Sequence, residues 1–218
     1  MSSKTKNTPK RRRVTAKTFC DAFQASYTEV RRAFPSTERW KKAWWGPHWS
    51  GLVLSRHDET WLLPKGAKRS LLSGVAHRLR LRYPSEAGNR QPMTFDAAFS
   101  KPYWNNDPFP IRVVIENEAN WRDFECEIRK LLSARCRLKV GITYTDSARG
   151  REHRKKIARW IREDFEEIQK VIGEDPRTEY LFLIGESDSY EISWYSLQFQ
   201  ARDGLRKREF RPLDDLTV

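Results

Sequence analysis

The sequence predicts an α/β fold, a central mixed β-sheet flanked by helices, with an N-terminal helical basic segment before it. From residue 93 on, strand-like and helix-like segments follow one another in the order β-β-α-β-α-β-β. The run at residues 179–185 is apolar throughout, as expected for a strand covered on both faces. Positive charge is concentrated earlier, because residues 1–82 hold 19 Lys and Arg but only 5 Asp and Glu.

Three regions are expected along the chain. A disordered basic arm is predicted for 1–14, a basic, aromatic-rich and mainly helical segment for 15–92, and the α/β core for 93–218. In the second region, apolar residues at helical spacing predict a helix that ends before Pro35. The elements expected there are a helix over 16–34, a short helix ending at 45, a hairpin over 49–63 and a helix over 67–82.

Each element of the core is predicted from its own periodicity. Residues 137–144 alternate apolar and polar side chains, whereas Ile157, Ile161 and Phe165 recur at helical spacing. The strands are expected over 93–99, 111–118, 137–144, 179–185 and 190–199, and the helices over 121–134 and 149–172. Three prolines predict a loop over 100–110.

The net charge of +13 indicates a polyanionic partner, because essentially all of the excess lies in residues 1–82. That stretch also holds five of the nine tryptophans, and interleaved arginines and aromatic rings suit phosphate contact with base stacking. Burial in a core is the alternative for most of these tryptophans. The candidate nucleic-acid contacts are Arg11, Arg12, Arg13, Lys41, Lys42, Lys68, Arg69 and Arg78. The basic run at 149–156 is a second candidate for phosphate contact, with a solvated helix face as the alternative.

Several classes of protein are disfavoured by what the sequence lacks. Cys20, Cys126 and Cys136 match neither a zinc template nor a disulfide framework. The glycine motifs of P-loop and dinucleotide-binding enzymes are absent, as are an apolar run of transmembrane length and a secretory signal. We therefore expect a cytoplasmic protein of a prokaryote or phage with no membrane partner, or a nuclear protein if the basic run at 9–14 is a localisation signal.

Three acidic residues are the candidates for chemistry. Glu116 and Glu118 end an apolar strand and point to one face of it, since side chains alternate along a strand. Asp96 approaches them if its strand pairs antiparallel with theirs, and Asp107 is an alternative to Asp96. Converging carboxylates need a cation, and oxygen ligands favour Mg²⁺ or Mn²⁺, which can activate water against a phosphodiester. The alternative is a pair of surface acids at a strand end.

The order of these residues resembles the core of the PD-(D/E)XK nuclease superfamily, whose fold is the restriction endonuclease-like fold. That core has an Asp on one strand, a strand ending in (D/E)xK, then a helix and another strand. Here Phe95 precedes Asp96, the strand at 111–118 ends in Glu-Asn-Glu, and a helix and a strand follow. The sequence is similar in this respect to the ExE variant of some type II restriction endonucleases. The resemblance covers residues 93–185.

The resemblance implies roles for individual residues. Asp96 and Glu116 would be metal ligands, and Glu118 would be a further ligand or a general base. The lysine of the motif is missing, so Lys139 on the next strand is a candidate for the positive charge near the scissile phosphate, and an exposed strand lysine is its alternative. The acid that many members have on the preceding helix is also missing, unless Glu86 replaces it. Glu125 or Glu127 could also support the metal.

The leading hypothesis is a Mg²⁺- or Mn²⁺-dependent endonuclease that hydrolyses phosphodiester bonds in double-stranded DNA, in restriction or phage defence. A homodimer would be needed to cut both strands in one binding event. The alternative hypothesis is a catalytically inactive nucleic-acid-binding or regulatory protein on the same fold, which the missing lysine and helix acid favour. A protein-interaction module with a basic arm would explain the charge asymmetry but not the acids.

Overall fold

The structure is a computed structural model that describes residues 13–34, 36, 39, 49–54, 69–83, 95–101, 111–188, 191–205 and 208–213. Its helices are α1 (Ala16–Arg32), α2 (Trp49–Leu54), α3 (Leu71–Arg78), α4 (Phe124–Ser133) and α5 (Gly150–Ile172). Its strands are β1 (Ala97–Ser100), β2 (Ile111–Glu118), β3 (Leu138–Asp146), β4 (Glu179–Ser187), β5 (Ile192–Gln200) and β6 (Arg211–Pro212). No helix in these ranges is long and apolar enough to cross a membrane.

The described strands form one mixed sheet in the order β1-β2-β3-β4-β5-β6. Strands β2, β3 and β4 are parallel, and α4 and α5 connect them. Strand β1 on one side of these three, and β5 and β6 on the other, extend the sheet with antiparallel pairing. The predicted α/β fold with a central mixed sheet flanked by helices is therefore confirmed. The apolar run at β4 is buried along its full length, as a strand covered on both faces requires.

Helices cover both faces of the sheet. One core packs α4 and α5 against Val114, Phe182 and Phe199, and the other packs α1, α2 and α3 against the opposite face. The described part of the 15–92 segment thus shares a hydrophobic core with the sheet. Gly141 allows α4 to approach β3, because a Cβ there would lie 2.7 Å from Phe124 and 2.8 Å from Phe182.

Several sequence predictions differ from the structure, among them the helix expected over 67–82, which lies at 71–78. The hairpin over 49–63 is wrong at its start, because residues 49–54 form α2, with Leu52 and Val53 buried against the helical layer. A short apolar run fits a buried helix turn as well as a strand, and here the packing against α3 decides. The strand expected over 93–99 lies at 97–100 instead. The short helix ending at 45, the loop over 102–110 and residues 1–12 lie outside the described residues.

Candidate functional site at the carboxyl edge of the sheet

The carboxyl ends of β2, β3 and β4 form one edge of the sheet. In open α/β sheets, the ends of parallel strands are where ligands bind, because the loops and helix N-termini that follow the strands meet there. This edge is polar although the strands leading to it are apolar. Its buried polar residues are Glu116 and Asn117 on β2, Thr143 and Thr145 on β3, and Glu186 and Ser187 on β4. The predicted Glu116 and Glu118 thus belong to a larger polar edge.

Asp96 and Glu116 lie side by side at this edge. Strand β1 is antiparallel to β2, with Ala97 opposite Ile115, which places Asp96 next to Glu116. The Asp96 Oδ2 atom accepts a hydrogen bond of 2.8 Å from the backbone N–H of Asn117. Strand β1 thus meets the condition of antiparallel pairing under which Asp96 is expected to approach Glu116.

The Glu116 carboxylate is fully buried. Its partner residue on the adjacent strand β3 is Gly141, which has no side chain. Helix α4 packs over this face of β2. Its Oε2 atom has no hydrogen-bond partner among the described residues. Burial raises the pKa of Glu116 to about 8, and the charges of Asp96 and Glu127 add to the rise, while Lys130 opposes it. A buried carboxylate with an unpartnered oxygen is costly, which is typical of a functional group.

Lys130 supplies a cation that the sequence analysis did not identify. Its Nζ atom lies 2.8 Å from Glu116 Oε1 and 2.6 Å from Glu127 Oε2. Glu127 and Lys130 lie three residues apart on α4 and therefore share one side of the helix. About a third of the Lys130 side chain is exposed, so its ammonium group joins the buried acid to the surface. The Glu-x-x-Lys spacing predicts the pair between Glu127 and Lys130, but it does not predict the contact of Lys130 with Glu116.

Glu118 is hydrogen-bonded to the turn that follows β2. Its Oε1 atom accepts a hydrogen bond of 2.7 Å from the backbone N–H of Asn120, in the turn that leads to α4. Among the residues that the structure describes, no group of three or more His, Cys, Asp or Glu side chains is arranged to hold a metal ion. The convergence expected of three acids is therefore found for Asp96 and Glu116, with Glu127 close by.

Lys139 is neither exposed nor close to the acid pair along the sheet. It lies early in β3, opposite Val114, whereas Glu116 pairs with Gly141 further along. Its side chain is fully buried, and its Nζ atom lies 2.6 Å from Glu174 Oε1 and donates a hydrogen bond of 2.8 Å to the carbonyl of Leu132. The expectation of an exposed strand lysine is wrong, and the ammonium group already has an acidic partner.

A second polar group lies at the carboxyl ends of β3 and β4. His153 is buried, its Nδ1 contacts the hydroxyl of Thr145, and its ring stacks on Trp121 with centroids 4.1 Å apart. Arg154 pairs with Glu186. His153 and Arg154 belong to the first two turns of α5, so the predicted basic run at 149–156 does reach this edge.

The described N-terminal cations lie away from the candidate site. Arg13 donates to the carbonyl of Arg177 and to Glu179, at the amino end of β4 and thus at the opposite edge of the sheet. Arg78 pairs with Glu29 of α1 at 2.8 Å. Arg69 is half-buried just before α3. The remaining predicted contacts and alternatives, Arg11, Arg12, Lys41, Lys42, Lys68, Glu86 and Asp107, lie outside the described residues.

Known proteins offer few close matches to this chain. No known family matches the sequence, and no curated protein matches it. Among solved structures, one similar chain is the central domain of yeast acetyl-CoA carboxylase, with 11% sequence identity and a TM-score of 0.37. The match covers 85% of this chain and 34% of that one, so this chain spans about a third of the length of its neighbour.

Proposed function

We propose that this protein is a metal-dependent nuclease that hydrolyses phosphodiester bonds, in double-stranded DNA rather than RNA. The observation that supports the proposal is the fully buried Glu116 carboxylate, which has an unpartnered oxygen and lies beside Asp96 at the carboxyl edge of parallel strands. A carboxylate that only stabilised the fold would have its hydrogen bonds satisfied. The resemblance to the PD-(D/E)XK superfamily supports it, because the acids of that core lie on two neighbouring strands, and here Asp96 directly precedes β1 while Glu116 lies on β2.

The donor set suits one hard cation. Mg²⁺ needs few protein carboxylates, because water and phosphate oxygens complete its coordination, and Asp96 and Glu116 would supply two. When bound, such a cation polarises the phosphodiester and lowers the pKa of a bound water. Lys130 lowers the pKa of Glu116 and reaches the surface, where its ammonium group could contact a phosphate. Glu118 fixes the turn at Asn120 and is not needed as a ligand.

A second candidate function is binding of nucleic acid without chemistry. Two observations favour it: Lys130 already forms an ion pair with Glu116, and the described residues contain no group of three metal-ligating side chains. On this hypothesis the ion pair is a structural bond between α4 and β2. A role in restriction or phage defence, and a homodimer that cuts both strands, remain predictions from the resemblance.

The first test is metal-dependent cleavage. Purified protein is incubated with supercoiled plasmid and with a set of phage genomes of varied sequence, in Mg²⁺, in Mn²⁺ and in EDTA. We expect nicked or linear DNA in the presence of either metal and intact DNA in EDTA, because the acids act through a cation. Intact DNA with every substrate and metal, together with retained binding in a mobility shift, would favour the second candidate function.

Lys130 is expected to set the pH at which cleavage occurs. In Lys130→Met, the pKa of Glu116 rises above about 8, because the lysine that lowers it is gone. Cleavage at pH 7 should fall by about 10²-fold and recover in part at pH 9, whereas Lys130→Arg should keep the wild-type profile. The measurement is the initial cleavage rate against pH for the three proteins. A uniform loss at all pH values would show that Lys130 acts otherwise than through Glu116.

A further inference from the structure

Helix α5 has most of its cations in its first half and most of its acids in its second half. Residues 150–162 hold six Arg and Lys and one Glu, whereas residues 163–172 hold four Asp and Glu and one Lys. Arg151, Lys155 and Arg159 follow one another at intervals of four residues, and like charges at that spacing destabilise a helix. The cationic half of α5 therefore does not stabilise the helix, and it suits an anion from outside the chain.

Part of this positive charge is already engaged within the protein. Arg154 pairs with Glu186, and the ammonium group of Lys156 lies 5.2 Å and 4.9 Å from the ring centres of Trp121 and Trp160. The cations that remain share one solvent-facing side of the helix and are called the α5 stripe. The α5 stripe consists of Arg151, Lys155, Arg159 and Arg162.

The α5 stripe is an extended surface of positive charge. Its members follow one another at intervals of four, four and three residues and span about 16 Å at 1.5 Å per residue. The first three are exposed and Arg162 is half-buried, while Ile157 and Ile161 on the other side face the core. Arg159 lies 3.8 Å from Glu163, and both are largely exposed, so this pair is weak. Among the described residues, no ion pair involves the other three.

The α5 stripe begins at the same edge as the acid pair. Helix α5 follows the carboxyl end of β3 after the single turn Ser147–Arg149, and Glu116 lies at the carboxyl end of the parallel strand β2. We propose that the α5 stripe binds the phosphate backbone of a nucleic acid and so presents a phosphodiester to the candidate site. The proposal rests on the proposed function for the identity of the anion. It moves the main contact surface away from Arg13, which lies at the opposite edge.

The experiment compares two triple variants of the full chain. The stripe variant is Arg151→Gln, Lys155→Gln and Arg159→Gln. The control is Arg135→Gln, Arg137→Gln and Lys170→Gln, which removes the same charge from exposed positions outside the stripe. Binding of a fluorescent 20-base-pair DNA duplex, and of an RNA duplex of the same sequence, is followed by anisotropy over a range of NaCl concentrations. EDTA is present throughout, so the readout does not depend on cleavage.

We expect the stripe variant to bind at least about tenfold more weakly than wild type. The slope of its salt dependence should fall by about 0.9 for each phosphate that the variant no longer neutralises. The control should bind within about threefold of wild type. Its melting temperature is expected to be close to that of wild type, and the stripe variant should melt at the same temperature or higher, because the repulsion between like charges four residues apart is removed. A difference between the two duplexes would identify DNA or RNA as the preferred source of phosphate.

Equal losses of affinity in both triple variants, or none in the stripe variant, would overturn the proposal. If the stripe variant unfolds, the single change Lys155→Gln takes its place, with an expected drop in salt dependence of about 1. The proposed function can fail separately. If the protein binds DNA through the stripe but does not cut it, the proposed function is wrong and this inference holds. If the stripe variant binds and cuts DNA as the wild type does, this inference is wrong.

Discussion

Glu116→Gln is expected to abolish metal-dependent cleavage, with a loss of at least about 10³-fold in rate. The substitution keeps the size and shape of the buried side chain but removes the charge that would hold a cation beside Asp96. A catalytic metal contributes several kcal/mol to the transition state, and each 1.4 kcal/mol corresponds to about tenfold in rate. The measurement is the initial rate of plasmid cleavage in Mg²⁺ and in Mn²⁺.

Glu118→Gln is the matched control, because it changes an acid on the same face of the same strand. Its side-chain oxygen can still accept the hydrogen bond from Asn120, so the rate should fall by less than about tenfold. Equal losses in the two variants would show that Glu118 belongs to the metal site, as the resemblance implies. Full activity in Glu116→Gln would rule out the proposed site.

Glu116→Gln should also stabilise the metal-free protein above neutral pH. The pKa of Glu116 rises from 4.5 to about 8 on folding, mainly through burial. The contribution of Glu116 to the free energy of unfolding is therefore largest below pH 4.5. It falls as the pH rises towards 8, because the folded state resists ionisation of this carboxyl group. Glu116→Gln removes this dependence. Urea unfolding in EDTA at pH 5 and pH 8.5 should show a larger gain for the variant at pH 8.5.

The predictions from sequence were most accurate where periodicity was long. Strand β2 was predicted at its observed bounds, and α5 differs by one residue, because a strand with four β-branched residues among its first five and six turns of amphipathic helix leave little ambiguity. The short run at 49–54 is predicted as part of a hairpin but forms α2, because its four large apolar residues fit a buried helix as well as a strand. Which elements pack over such a run is tertiary information that periodicity does not contain.

The candidate site was predicted in part for the same reason. Strand alternation is a local rule, and it brings Asp96 to Glu116 once β1 pairs antiparallel with β2, which the structure shows. The contact between Lys130 and Glu116 depends on how α4 lies across β2, which no spacing in the sequence specifies. Lys139 shows the converse case. Strand periodicity placed it outside the apolar stripe, but the helices on that face bury it beside Glu174.

Glu174→Gln is expected to lower the free energy of unfolding by about 3–5 kcal/mol, because it leaves the buried Lys139 ammonium without its counter-ion. The remaining partners are neutral: the carbonyl of Leu132 at 2.8 Å and the hydroxyl of Tyr180 at 3.4 Å. Burial already lowers the pKa of Lys139 and raises that of Glu174, so each group depends on the other for its charge. Urea denaturation at pH 7 measures the loss. Asp175→Asn is the control, because the adjacent Asp175–Arg177 pair is exposed and its removal should change the midpoint little.

The double variant Lys139→Met, Glu174→Gln decides whether this pair is structural or catalytic. Removing both charges from a buried pair is often neutral or stabilising, so the unfolding free energy should return to the wild-type value or exceed it. Cleavage should then also be at the wild-type level, because Lys139 lies at the amino-terminal half of β3 and its ammonium group faces Glu174. A stable double variant without cleavage would restore Lys139 to the catalytic role that its place after the ExE strand first suggested. A double variant that cuts DNA normally would leave Lys130 as the lysine of this site.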